Sequence, residues 1–557
     1  MATKIPLAFF LAISVFFILP IAFLVYGSFV PAINSHAFTT SFIVQAFTSP
    51  RTWPLLVNTL EYGLVSAAIA VAIAAVYAWL LARTDIPGKS FLKFLPLFPL
   101  TLPMVVKAFA WIFLFSPTIG LVNNAIKTVT GIQFPVFNIY SMAGLIFANA
   151  AGGIPLAFLM IEASLLSMDS ALEDASRTTG GGGIATVSRV TLPLLTPAIV
   201  SVFILEALIG VESFDYPFIL GRNQIPTLAT EVYNLVNVTY NYALASAYGI
   251  MFLIMTIVLI TLYLWYVRKS FKFVTVTGKA SRPTLFRLGQ WKWPALLFCA
   301  AAMLVAFFLP FATIILVSLV PFYTVAPGYN TFAVLTLNNY VKAIHQPLFL
   351  QATINSFELA IGAGVLTTLI AAVMSYLLVK NRSRSKVVFD YLSLLPLSFP
   401  GVVYALGLIW TFLVIPGLNG IYGTTWVMLI ALIVVWLPYS IRFMTNSLLQ
   451  VADELEEAAS VAGSTWLRRF PRVTLPLLRS GFANSLVYVM ADSFRELGAV
   501  VLLSNAGSIT LTVLILDLFE NTASALPTVA ALSTLMTIMI SFLIVIPRVI
   551  FRQRVRV

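Results

Sequence analysis

LEDASRTTGGGGIATVSRVTLPLL (172–195) and LEEAASVAGSTWLRRFPRVTLPLL (455–478) are two versions of one passage, set 283 residues apart. Gly180 falls on Gly463, and Val190-Thr191-Leu192-Pro193 falls on Val473-Thr474-Leu475-Pro476. The correspondence extends upstream. VNTLEYGLVSAAIAVAIAAVYAWLLAR (57–83) aligns with INSFELAIGAGVLTTLIAAVMSYLLVK (354–380) at an offset of 297, placing Asn58 on Asn355 and Glu61 on Glu358. PLTLPMVV (99–106) pairs with PLSFPGVV (396–403) at the same offset, after which the first copy carries a longer stretch, FSPTIGLVNNAIKTVTGIQFPVFNIY, and the offset falls to 283. Self-similarity on this scale marks an internal duplication. The chain therefore reads as two copies of a six-helix unit in the same orientation, 1–268 and 293–557, joined by a basic linker at 269–292.

Composition says where these copies reside. Of 557 residues, 60% are hydrophobic and 9% charged, with a mean hydropathy of +0.99; a soluble domain is roughly 45–50% apolar and about 25% charged. The chain is an all-α integral membrane protein. A spanning helix needs about 20 apolar residues, and runs of that order lie near 5–27, 57–82, 94–115, 139–166, 193–220 and 246–268, then 293–320, 354–380, 391–414, 424–446, 480–504 and 525–548, about twelve in all. Placing the N-terminus in the cytoplasm puts 26 of the 32 Lys and Arg residues on that side, so both termini are expected there. The net charge of +12 then reports topology in a lipid bilayer and not a nucleic-acid surface. The single cysteine, Cys299 in LLFCAAAMLV, excludes an intramolecular disulfide or a Cys-ligated cluster and reads as a small buried hydrophobe.

The repeated passage falls after the fourth apolar run of each copy, on the cytoplasmic side. Glu454, Glu456, Glu457, Ala458 and Ala459 predict a short helix with acids early, where they favour the helix dipole. Gly463 permits the left-handed turn that closes that helix, and Thr474-Leu475-Pro476 starts the next membrane helix. Asp174, Ala175, Ser176 and Gly180 take the same places in the first copy, where Gly180–Gly183 makes the turn looser. Each copy thus projects a helix–turn–helix knob.

Acid-Ala-Ala/Ser, then Gly, then Leu-Pro beginning twelve residues beyond it, occurs at 174→180→193 and again at 457→463→476. This pattern resembles the EAA loop of the inner-membrane permeases of binding-protein-dependent ABC importers, and the resemblance covers essentially the whole chain. It implies a type I permease fold in which each loop is a coupling helix seated on a cytoplasmic ABC ATPase. Glu456, Glu457, Ala458, Ala459 and Gly463 carry over directly; Glu173, Asp174, Ala175, Ser176 and Gly180 carry over with Asp for Glu and Ser for the second Ala, so unequal grips are expected. The implied partners are two copies of the ATPase, which bind ATP and Mg, and an external or periplasmic substrate-binding protein; this chain is expected to bind no cofactor and to be no enzyme. Consistently, Pro87-Gly88-Lys89-Ser90 and Thr277-Gly278-Lys279-Ala280 lack the upstream glycine of a phosphate-binding loop. His36 and His345 stand in external loops, neither beside a plausible Ser or Cys nucleophile, and no metal site is assigned.

Ionisable groups inside the bilayer are costly and usually face a pathway or a partner. Glu61 and Glu358 sit at the same place in the two copies; Glu212, Asp215, Asp492, Arg495 and Glu496 lie in the fifth run of each, with Glu162 and Glu206 adding acid against Lys107. An acid-rich path of Glu61, Glu358, Glu212, Asp215, Asp492 and Glu496 suits a cation, while pairing with Lys107, Arg495 or backbone amides is the structural alternative. ESFDYPFIL, DSFRELGAVVLL and SITLTVLILDLFE are similar to the fused ferric-iron permeases and to their relatives for thiamine, polyamines and 2-aminoethylphosphonate, which implies ferric iron as first cargo and these organic solutes as alternatives. An ion-coupled major-facilitator transporter would also show twelve helices in two parallel repeats, but it tends to carry a Gly/Asp/Arg-rich motif between helices 2 and 3, where this chain has ArgThrAspIleProGlyLys (83–89).

Overall fold

A computed structural model describes residues 4–33, 35, 37–132, 134–168, 171–180, 182–222, 224–270, 285–323, 334–380, 393, 395–451, 453–522 and 525–550. His36, the linker stretch 271–284, Arg382, Arg384, Lys386 and the basic tail from Arg552 lie outside them. Among the described residues the regular structure is helical, apart from a single parallel bridge between Thr84 and Phe286.

Among the described residues, eight helices are long and apolar enough to cross a membrane, and the pair Lys89–Pro99 and Met104–Phe115, bent by 100°, makes a ninth if it is counted as one broken span. The second helices of the two repeats, Thr52–Arg83 and Phe349–Lys380, have 32 residues each, or about 48 Å of helix against a hydrocarbon core of about 30 Å. They reach well beyond the apolar slab.

Several of the twelve apolar runs are bent, shortened or broken, and the causes are local. Pro96, Pro99 and Pro103 interrupt the first repeat's third run, and Pro396 and Pro400 shorten its counterpart to Gly401–Val414; a proline lacks the amide hydrogen that an uninterrupted helix needs. The fifth run is Leu192–Glu212 followed by Asp215–Gly221 in the first repeat, and Arg479–Arg495 followed by Gly498–Leu503 in the second. The fourth helices, Met142–Ser167 and Thr425–Leu448, carry Pro155 and Pro438 at equivalent positions.

The chain forms two compact units that do not follow the repeat boundary. One comprises Met1–Thr52, Leu228–Leu253 and Asn338–Val557. Its centre is Phe349–Lys380 packed against Thr425–Leu448 and Arg479–Arg495, and the first helix of the chain, Lys4–Gly27, lies along Gly401–Val414. Polar side chains join helices there: Thr368 Oγ1 and Ser485 Oγ are 2.9 Å apart, and Trp410 Nε1 donates to Ser246 Oγ at 2.8 Å.

The other unit comprises Trp53–Thr227 and Ile254–Leu337. Met142–Ser167 packs on Leu192–Glu212, and Leu309–Leu319, from the opening helix of the second repeat, packs on Met104–Phe115. Cys299 is fully buried in a core with Tyr77, Leu81, Phe158 and Met303. Each unit therefore holds the opening helix of the repeat that supplies the other unit's centre.

Close approach at small residues sets several of these contacts, as is common between membrane helices. A Cβ on Gly407 would lie 2.4 Å from the carbonyl oxygen of Pro20 in the first helix. Gly407→Ala must push Lys4–Gly27 away, at a cost of about 1–3 kcal/mol. The expected result is a lower thermal unfolding midpoint for the purified chain in detergent, while Gly420→Ala, where a Cβ meets nothing within 4 Å, leaves it unchanged. Equal midpoints for the two variants would refute this packing.

Candidate functional site

The two repeated passages fold as expected at their cores. Ala171–Thr178 and Asp453–Val461 are helices, the first with Glu173 and Asp174 in its opening turn. Gly180 (φ +89°) and Gly463 (φ +78°) follow in the left-handed region. A Cβ at either would meet nothing within 4 Å, so backbone conformation and not space requires glycine there. Ser464 N donates to Ala459 O at 3.1 Å and Ala462 N to Ala458 O at 3.0 Å, closing the second helix.

Burial divides the residues of each loop into two groups. In the second loop Glu457 and Ala458 are exposed, Ala459 is half-buried, and Leu455 and Val461 present apolar surface that is 49% and 90% exposed. In the first loop Ala175 is exposed and Asp174 and Ser176 are half-buried, with Ser176 Oγ 3.1 Å from Thr186 Oγ1. Glu173 and Glu456, grouped by sequence with the ATPase-coupling residues, instead point inward and are 2% and 7% exposed.

Those two glutamates make the same contacts 283 residues apart. Thr191 Oγ1 donates to Glu173 Oε1 at 2.7 Å, and Thr474 Oγ1 donates to Glu456 Oε1 at 2.8 Å. The other oxygen faces the basic residue that ends the second helix: Arg83 Nε lies 2.9 Å from Glu173 Oε2, and Lys380 Nζ lies 3.6 Å from Glu456 Oε2. Beside this ion pair, Arg83, 1% exposed, donates a hydrogen bond through Nη2 to Leu165 O at 2.9 Å. Around Glu456, Tyr376 OH donates to Oε2 at 3.4 Å and in turn accepts from Arg469 Nη2 at 3.4 Å. Each clasp thus ties a short helix to the end of a long one.

The threonine is delivered by an unusual backbone. Val187–Thr191 and Phe470–Thr474 are π-helical turns at equivalent positions, each ending on the threonine that reaches the glutamate. Such turns are rare and concentrate at functional sites. Sequence reading assigned Arg83 and Lys380 to topology and Thr191 and Thr474 to a helix start. Their recurrence at matched positions in both copies was the available signal.

The acids expected along a pathway do not form one cluster. Glu61 and Glu358 are exposed on their helices. Glu162 pairs with Lys93 at 3.0 Å, and Asp492 is buried and accepts from Arg495 Nε at 2.7 Å. The fifth-run breaks are superposable in conformation: Ser213 (φ −61°, ψ 129°) corresponds to Glu496 (φ −64°, ψ 132°). Glu212 and Arg495 are the equivalent residues just before the breaks, an acid in one repeat and a base in the other. Glu212 Oε1 has no hydrogen-bond partner among the described residues, Asp215 is half-buried just after the first break, and Ala499 N donates to Glu496 Oε1 at 3.3 Å. Among the described residues, no three His, Cys, Asp or Glu side chains gather as a metal-holding group.

Comparison with known proteins fits this architecture. Residues 364–557 match the family described as binding-protein-dependent transport system inner membrane component. The ferric transport system permease protein FbpB of Actinobacillus pleuropneumoniae is 27% identical over 466 residues, 82% of this chain and 65% of that protein's length. The putative ferric transport system permease protein FbpB 1 of Haemophilus influenzae is 28% identical over 489 residues, 86% of this chain and 73% of that protein. The putative ABC transporter permease protein ORF1 of Streptomyces antibioticus is 31% identical over 182 residues, 32% of this chain and 77% of that protein. The chain belongs to the binding-protein-dependent transport inner-membrane family and is a multi-pass permease component, not an ATPase.

The clasp makes a stability prediction. Glu173→Ala leaves the Arg83 guanidinium buried without its counter-charge, which costs about 3–5 kcal/mol, whereas the double replacement Glu173→Leu/Arg83→Met should recover most of that loss. Exposed Glu457→Ala should change stability by less than about 0.5 kcal/mol. Thermal unfolding in detergent reads all three, and a Glu173→Ala chain as stable as the Glu457→Ala chain would sink the clasp.

Proposed function

We propose that this chain is the transmembrane permease subunit of an ATP-driven ABC importer, carrying ferric iron delivered by an external binding protein. The observation that carries the reading is the duplicated knob, with its outer face exposed and its inner glutamate fastened to a membrane helix. A part that receives force from a soluble partner needs both features.

On this reading the exposed faces around Glu457 and Ala175 dock on two copies of a cytoplasmic ATPase, and both chain termini lie on that side of the inner membrane. Only helices held to the knobs can follow them. Glu173 and Glu456 supply that hold, through Arg83 and Lys380 to the second helices and through Thr191 and Thr474 to the fifth. Closure of the ATPase subunits around ATP would then tilt both helices of each repeat together and open the pathway outward; hydrolysis would return it. The ferric permease relatives span most of this chain, and acids at Glu61, Glu358, Glu212, Asp215 and Glu496 suit passage of a cation. ATP and Mg belong to the ATPase in this scheme.

Cells lacking the chain are expected to lose ferric-iron accumulation and to regain it with the intact chain but not with Gly463→Pro, because proline cannot adopt the positive φ at that turn. Loss of thiamine, polyamine or 2-aminoethylphosphonate uptake in place of iron would keep the permease and change the cargo. Docking is tested separately. Glu457→Lys should weaken copurification of the ATPase at least tenfold, roughly the effect of placing a like charge in an interface, and Asp174→Lys should weaken it less, since Asp174 is half-buried on a loop that departs from the family pattern. Equal retention by both variants would remove the docking assignment.

A further inference from the structure

Beyond residue 284 the segment between the repeats is held to the bundle. Phe286 N donates to Arg83 O at 2.8 Å and Asp85 N donates to Phe286 O at 3.0 Å, while Leu288 N donates to Asp85 Oδ1 at 2.8 Å. This pairing fixes the Phe286 side chain beside the first knob. Its ring centroid lies 5.7 Å from that of Trp79, and a Cβ on Gly183 would meet its Cε1 at 3.1 Å. Gly183 is the last of the three glycines, 181–183, that set the first loop apart from the second.

The repeat alignment gives this contact a meaning. Trp79 corresponds to Tyr376 at the offset of 297, and Gly183 corresponds to Trp466 at the offset of 283. In the second repeat the Trp466 ring lies 6.1 Å from Tyr376, edge to face, and stacks on Phe470 at 5.2 Å. Both repeats therefore pack an aromatic ring, placed at the knob's exit, against an aromatic of the second helix. In the second repeat the loop provides that ring itself. In the first, the loop has glycine at the matching position and a ring arrives from the linker.

We infer that Phe286 is a positioning residue of the first coupling loop, supplying from the linker the ring that Trp466 supplies from within the second loop. The inference rests on the coupling-loop reading above. It explains the departure at Gly183, where a Cβ would already press on the visiting ring at 3.1 Å and a bulky side chain would compete for the ring's place. It also makes the linker a working part of the knob's seat. Arg83, whose carbonyl holds the Phe286 backbone, is the same residue whose guanidinium holds Glu173, so linker and clasp meet on one residue.

The test uses the full chain reconstituted with its ATPase and binding protein in proteoliposomes, with ferric iron as the probe. It records ATP hydrolysed per ion imported, together with amide hydrogen exchange over 171–186 in the chain alone. Phe286→Ala is expected to raise ATP consumed per ion fivefold or more, the lower end of ordinary coupling between sites, and to speed exchange in the loop. Phe286→Tyr should stay within about twofold of the parent, roughly the limit for a conservative change that keeps the ring. Gly183→Trp alone should be impaired by the collision, and Gly183→Trp/Phe286→Ala, which moves the ring into the loop as in the second repeat, should recover coupling and slow exchange. Unchanged exchange and coupling in Phe286→Ala, or a double variant no better than the two singles, would overturn the inference. If Phe286→Ala yields no assembled complex, the double variant decides: coupled uptake supports the inference and failure to assemble overturns it. Failure of the parent chain to associate with an ABC ATPase would defeat the coupling-loop reading, while the exchange comparison would still judge the ring.

Discussion

A carboxylate buried beneath each knob is the constraint on which the arrangement turns. Glu173 and Glu456 are buried carboxylates, and a buried ion left alone is strongly destabilising. Each therefore requires its threonine and its basic neighbour in place at once. Satisfying one side chain brings together the short helix, the end of the second helix and the π-helical turn that opens the fifth. The knob cannot move without moving what it is fastened to.

The two repeats solve that problem with unequal means. The first uses an arginine that is 1% exposed and also bound to Leu165 O, a planar donor able to serve two acceptors. The second uses Lys380 at longer range and adds Tyr376 and Arg469 around the same carboxylate. Their aromatic packing differs in the same sense, with Trp466 supplied by the loop and Phe286 by the linker. Duplication kept the geometry and let the residues diverge.

The fifth helices carry a second shared constraint. An interrupted backbone at membrane depth survives only where protein or water can satisfy its polar groups, and both repeats interrupt the helix at one matched position with nearly identical dihedral angles. Charged residues stand at both interruptions: Glu212 and Asp215 in one, Arg495 and Glu496 in the other. Side chains of this kind inside a membrane protein mark functional ground by default. The backbones match at this position while the side chains there, Glu212 and Arg495, are an acid and a base.

Hydropathy determined that the chain is helical and membrane-embedded, and self-alignment determined that it is a duplication with one knob per copy, because apolar runs and turn glycines act locally and leave their period in the sequence. Gly180 and Gly463 were legible for that reason: a left-handed turn excludes most other residues wherever the chain goes next. Cys299 was legible as core from its apolar neighbours alone. The roles of Glu173 and Glu456 were not, since an acid in a first helical turn looks the same whether it faces solvent or a buried arginine. Nor could sequence show that Lys4–Gly27 packs within the unit built mainly from the second repeat, that the fifth helices break at matched positions, or that Phe286 sits over Gly183. Those outcomes depend on which surfaces meet after the chain has folded back over hundreds of residues, and a repeat in sequence fixes the parts without fixing which copy each part will pack against.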